Sequence, residues 1–154
     1  MMSVTSSALL LNGVCAGSFA FGTAVDTRML RALANKGDSQ TIKSVFSLWW
    51  PYGRDWMAPL VGVTTVADGL AFYLTGASCW AAATALVAPI IPWTMFVMGE
   101  SIQKLRSGED KEVFAITKKF CLLHHFRTVA AGAALALVVF ARDAADKAQS
   151  SQSK

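Results

Sequence analysis

The chain has 154 residues, of which 54% are hydrophobic and 16% charged, with a mean hydropathy of +0.43. That balance excludes an ordinary soluble domain and fits a single integral membrane unit. The formal charge of +4 is read as basic residues flanking membrane spans, since no nucleic-acid motif accompanies it.

Val4 to Val25 is an uncharged run of spanning length, because about 20 apolar residues cross roughly 30 Å of hydrocarbon. No basic residue precedes it and its apolar length exceeds a signal core, so it is expected to remain as the first span, 4–25. Gly13-x-x-x-Gly17 predicts close approach of a neighbouring helix, and Asn12 near mid-span is either interhelical glue or a ligand contact.

Asp26 to Asp55 reads as a polar connection with a turn at Gly37-Asp38-Ser39 and a short amphipathic surface helix around Ile42 to Leu48. Trp49, Trp50, Tyr52 and Trp56 then suggest an interfacial aromatic belt. Arg54 and Asp55 among them leave a substrate-entrance role open.

The second span is expected at 56–75, with Asp68 near its middle. A carboxylate in lipid must be neutral, paired or hydrated, and Arg127 is the expected partner. Gly76-Ala77-Ser78 is a tight turn into the third span, 78–98. Pro89 and Pro92 predict a kink there that frees backbone carbonyls, with Trp93 and Thr94 beside the break and Glu100 just beyond. Residues 100–119 read as a mixed-charge loop or surface helix.

The fourth span, 120–141, carries both histidines. His124 shares a helix face with Arg127 and Thr128, at spacings of three and four, whereas His125 points about 100° away. Residues 142–154 read as a flexible polar tail. The chain is thus expected to be all-α, one four-span membrane bundle over 1–141. Ten basic residues lie in the first and third connections, which predicts that these long connections face the cytoplasm.

The three cysteines form no CxxC pair, which argues against a disulfide scaffold or thiol oxidase. Adjacent histidines on one helix cannot supply both axial ligands of a haem and are poorly spaced to share a metal. Were copper or iron bound, His124, His125 and Glu100 would be its candidate ligands. Acid–base chemistry fits better, with His124 removing a proton from a carbon or phenol acid and Arg127 holding the oxyanion. A polar pair that merely locks the bundle is the structural alternative.

The runs Tyr52-Gly53-Arg54-Asp55-Trp56-Met57-Ala58-Pro59-Leu60, Ile91-Pro92-Trp93-Thr94-Met95-Phe96-Val97-Met98 and Leu122-Leu123-His124-His125-Phe126-Arg127-Thr128 resemble those of the anthrone oxygenase family, small four-span membrane proteins. His124 and Arg127 match its His/Asn-x-x-Arg pattern, and Pro92, Trp93 and Thr94 its Pro-aromatic-Thr pattern. Where the family often opens the fourth helix with Trp, this chain has Phe120 or Cys121, and an Asn common after the third span is replaced around Ile102.

The resemblance implies oxidation of an anthrone or related phenolic polyketide to a quinone, as in secondary metabolism, with dioxygen as co-substrate and no obligatory cofactor. His124 and Arg127 would be catalytic, and Asn12, Asp68, Trp93, Thr94 and Thr128 would bind the substrate, which enters past Trp93. The expected partners are a lipophilic aromatic molecule, membrane lipid and, in a homo-oligomer, further copies of the chain. The membrane would be the endoplasmic reticulum or a bacterial plasma membrane. The competing class is a membrane scaffold, subunit or small-molecule carrier. Convergence of Asn12, Asp68, Trp93, His124 and Arg127 on one cavity would favour the enzyme.

Overall fold

A computed structural model describes residues 3–152, with side chains described as far as Arg142. The tail expected over 142–154 lies almost wholly outside the described side chains.

Every described element is a helix: α1 (Val4–Ala24), α2 (Asp26–Asn35), α3 (Ser39–Thr75), α4 (Ser78–Val87), α5 (Ile90–Phe96), α6 (Gly99–Ser107) and α7 (Asp110–Gln152). Four stretches are long and apolar enough to cross a membrane: Val4–Asn35, Ser39–Thr75, Ser78–Phe96 and Asp110–Arg142. The protein is therefore an all-α integral membrane four-helix bundle. Leu10, Val63, Val66, Leu74, Val129 and Phe140 are exposed on its outside, where lipid rather than water is the favourable neighbour.

Local chemistry sets the boundaries. Ser3 caps α1 by accepting from the Ser6 N–H, and Asp38 caps α3 by accepting from Thr41, each satisfying an orphan donor of the first turn. Gly37 and Gly76 take positive φ, +73° and +67°, which suits glycine and closes the two tight turns. The third span breaks between Val87 and Ile90 at Pro89, which has no N–H to continue the ladder.

Two connections are more helical than expected. The short helix anticipated around Ile42 to Leu48 is the first part of α3 and runs unbroken into the second span, while α7 begins ten residues before the expected fourth span. Ile42 and Phe46 are fully buried rather than lying on a membrane surface. Their apolar face packs in one cluster with Leu30, Met98, Leu105 and Phe120.

A second cluster lies deeper along the spans, built from small and medium residues such as Ala8, Cys15, Ala83, Ala131, Ala134 and Val138. Small side chains let membrane helices approach closely, which replaces the hydrophobic drive that lipid cannot supply. Gly13-x-x-x-Gly17 takes no part in this: a Cβ at either glycine would meet nothing within 4 Å.

Asp68 does not pair with Arg127. It is fully buried and accepts a 2.7 Å hydrogen bond from the Asn12 side-chain amide, which also donates to the Ala8 carbonyl at 3.0 Å. The reason is depth. Arg127 stands over the Phe19 ring, 5.5 Å away, and Asn12 lies seven residues earlier on α1, about 10 Å along the axis.

This pair yields a stability prediction. Asn12→Leu leaves the buried Asp68 without its donor and should cost about 1–3 kcal/mol, whereas adding Asp68→Leu to it should recover much of the loss. Denaturant unfolding in bicelles checks this, and simple additivity of the two changes would contradict the coupling.

Candidate functional site

The two apolar clusters leave a polar layer between them, and the first, third and fourth spanning segments contribute to it. On α7, Phe120 and Cys121 belong to one cluster and Ala131 and Ala134 to the other, with His124 and Arg127 between. On the first span, Gly22 and Asp26 fall between Phe19 and Leu30. On the third, Thr94 falls between Ile90 and Met98.

A cavity of about 780 Å³ opens along this layer. Trp49, Trp50, Phe19, Met57 and Ile91 give it an apolar lining, and Asp26, Thr94, His124 and Arg127 gather its polar groups. Phe21, Trp56 and Met95, all more than 60% exposed, form its rim. Arg54 also lines the cavity, but it is exposed and its charge is matched by Asp55 at 2.7 Å.

Arg127 is 6% exposed, and none of the ion pairs among the described residues includes it. One terminal nitrogen donates to Thr94 Oγ1 at 3.1 Å and the other to His124 Nδ1 at 2.5 Å. Its Nε has no hydrogen-bond partner among the described residues. The Phe19 ring offers the cation a π-face, which is weaker compensation than a carboxylate would be.

A guanidinium can only donate. His124 Nδ1 must therefore accept, and in the neutral imidazole the remaining proton sits on Nε2. Nε2 is buried, facing the first span near the Phe19 backbone, with no hydrogen bond of standard geometry among the described residues. It lies beside Gly22, at which an added Cβ would stand 3.0 Å from Nε2 and 3.4 Å from Asp26 Oδ2. Glycine is thus what leaves room for the imidazole edge.

The other expected site residues are placed elsewhere. Thr128 bonds to Thr23 Oγ1 at 2.6 Å and to the Phe19 carbonyl at 3.2 Å, tying α7 to α1. Trp93 stacks on Phe126, centroids 5.0 Å apart, and does not line the cavity. Neither Asn12 nor Asp68 reaches it. Of the five residues whose convergence was to discriminate, only His124 and Arg127 meet there.

His125 points away, with its Nδ1 on the Cys121 carbonyl, and Glu100 is held by Lys104 at 3.2 Å. His124, His125 and Glu100 consequently do not form a ligand set. No group of three His, Cys, Asp or Glu side chains among the described residues is arranged to hold a metal ion. Trp49 and Trp50, read from sequence as part of an interfacial aromatic belt with a substrate-entrance role left open, line the cavity, whereas Asp26 and Gly22 are lining residues to which sequence reasoning assigned no role. The signal for Asp26 was its spacing of four from Gly22, visible only once the first span is known to continue past residue 25.

The profile of the anthrone oxygenase family matches residues 46–137. No curated protein and no solved structure matches the chain.

The hydrogen bonds predict opposite tautomers for the two histidines. His124 should carry its proton on Nε2, and His125, which must donate to a carbonyl, on Nδ1. Histidine nitrogen NMR should resolve one ring of each kind, and Arg127→Leu should release His124 alone into a mixture. Two rings of the same tautomer in the wild type would overturn the assigned geometry.

Proposed function

The chain belongs to the anthrone oxygenase family, and from that premise we propose that it is a membrane oxygenase converting an anthrone, or a related phenolic polyketide, into its quinone with dioxygen. The observation that carries this reading is Arg127, a buried cation at the wall of an aromatic-lined cavity, in no ion pair among the described residues. A charge held so is costly unless an anion comes to meet it. The enolate of an anthrone is such an anion, and the flat hydrocarbon around it suits the lining.

The cavity volume lies in the ordinary range for a small-molecule site, and its apolar rim fits a substrate that arrives through the bilayer. Within the cavity the carbonyl oxygen is held by Arg127 and the Nε2 proton of His124. As a methylene proton leaves, negative charge gathers on that oxygen, so both donors act more strongly in the transition state than in the ground state. Because Nδ1 of His124 is already an acceptor for Arg127, the ring serves here as a donor in place of the base expected from sequence. Thr94 fixes the guanidinium, and Trp49 and Trp50 flank the rings.

The electron-rich anion then reacts with dioxygen. One oxygen atom stays on the carbon and the other leaves as water with the two methylene hydrogens. The scheme calls on no cofactor beyond dioxygen.

Oxygen uptake by detergent-purified protein on emodin anthrone, measured above the spontaneous rate, tests this. Arg127→Leu and His124→Gln should each lower turnover by about 100-fold or more, the usual effect of losing an oxyanion donor. A chelator should leave the wild-type rate unchanged. Full turnover in either variant would sink the donor roles, and no uptake by the wild type would sink the substrate class.

A further inference from the structure

The proton that leaves the substrate needs an acceptor, and His124 is not free to be one. We propose that the Asp26 carboxylate is the catalytic base of this site. The inference rests on the anthrone-type reading above and extends it to a residue outside the matched segment 46–137.

Asp26 is the one carboxylate among the residues lining the cavity. It is 9% exposed and makes no ion pair among the described residues. Continuity of the first span places it. The backbone ladder runs through Val25, whose N–H donates to the Phe21 carbonyl at 2.9 Å and whose carbonyl accepts from Met29 at 3.0 Å, so residues 22 and 26 stack on one face.

Across the missing side chain of Gly22, Asp26 Oδ2 and His124 Nε2 come to the same point from two helices. A hydrogen-bond donor and a proton acceptor thus stand close together at the Gly22 edge of the cavity, which Gly22, Asp26 and His124 all line, the pairing of roles that enolate-forming sites require.

Asp26 takes one methylene proton, and the C–H electron pair stays on the substrate as the enolate held by Arg127 and His124. One electron passes to dioxygen, the two radicals combine into a C–O bond, and the peroxide anion recovers the proton from Asp26. The same carboxylate then takes the second hydrogen on that carbon. As the C=O double bond forms, the O–O bond breaks, and the departing hydroxide leaves as water with that proton.

The test separates proton removal from the oxygen step. Under nitrogen in deuterated buffer, the wild-type protein should speed exchange of the methylene hydrogens of emodin anthrone, followed by NMR. Asp26→Asn should slow the catalysed exchange and the aerobic turnover together, by about 100-fold or more, with KM changed only a few-fold. Asp26→Glu should retain part of both rates.

Exchange and turnover at wild-type rates in Asp26→Asn would overturn the base. So would an Asp26→Glu variant as inactive as Asp26→Asn with substrate binding lost in both, since that marks a structural role. Should Asp26→Asn fail to fold, Asp26→Glu decides: a lowered kcat at unchanged KM supports the base, and an unchanged kcat overturns it. A wild type without uptake or exchange removes the substrate reading and this inference together, whereas an active wild type with an equally active Asp26→Asn removes this inference alone.

Discussion

A guanidinium buried inside a membrane bundle, with no opposing carboxylate among the described residues, is the constraint on which the rest of the site depends. Arg127 cannot shed its charge as a histidine or lysine would, and its burial forbids hydration by bulk water. The protein answers with partial compensation only: the Thr94 hydroxyl, the His124 ring nitrogen and the Phe19 π-face. Each comes from a different spanning segment or turn of helix. The guanidinium therefore draws the first, third and fourth spans to one depth while leaving electrostatic demand unmet at the cavity.

That depth is set by the two apolar clusters. Above and below the polar layer the helices meet through residues that need no partner, from Ala8 to Val138 in one cluster and from Leu30 to Cys121 in the other. Between them the first span carries Gly22 in place of a larger side chain. That glycine removes bulk at the cavity wall, which it lines. The site is thus a gap between two packed layers, and the polar groups that the gap exposes are held by helices anchored on either side of it.

Much of this was legible in the sequence. Hydropathy and length identify four spans, because a bilayer demands helices of that length with few charges. The shared face of His124 and Arg127 follows from helical spacing, and the break at Pro89 from the missing N–H. Long-range depth was not legible. Asp68 looked like the natural partner of Arg127 because both carry charge, yet sequence gives no register between α1, α3 and α7. Trp93 lies one position from Thr94, and about 100° of helix rotation turns one toward Phe126 and the other toward the cavity. Gly13-x-x-x-Gly17 has the spacing of a packing motif, but no neighbour approaches it. Gly22, with no motif around it, is the glycine the imidazole needs.

The division of roles proposed for His124, Arg127 and Asp26 follows from counting donors and acceptors. Arg127 brings only donors, so the imidazole nitrogen it touches must accept, and the ring's single proton is left on Nε2, beside Gly22 at the cavity wall. In the proposed reaction these two donors hold the substrate oxygen, and the proton acceptor beside them is the Asp26 carboxylate. Had a carboxylate stood where His124 stands, the guanidinium would be neutralised and the cavity would hold no unmet positive charge. A neutral ring passes the polarisation of Arg127 to the substrate without cancelling it, which is why a histidine beside an arginine suits a site that must stabilise an anion formed only during the reaction.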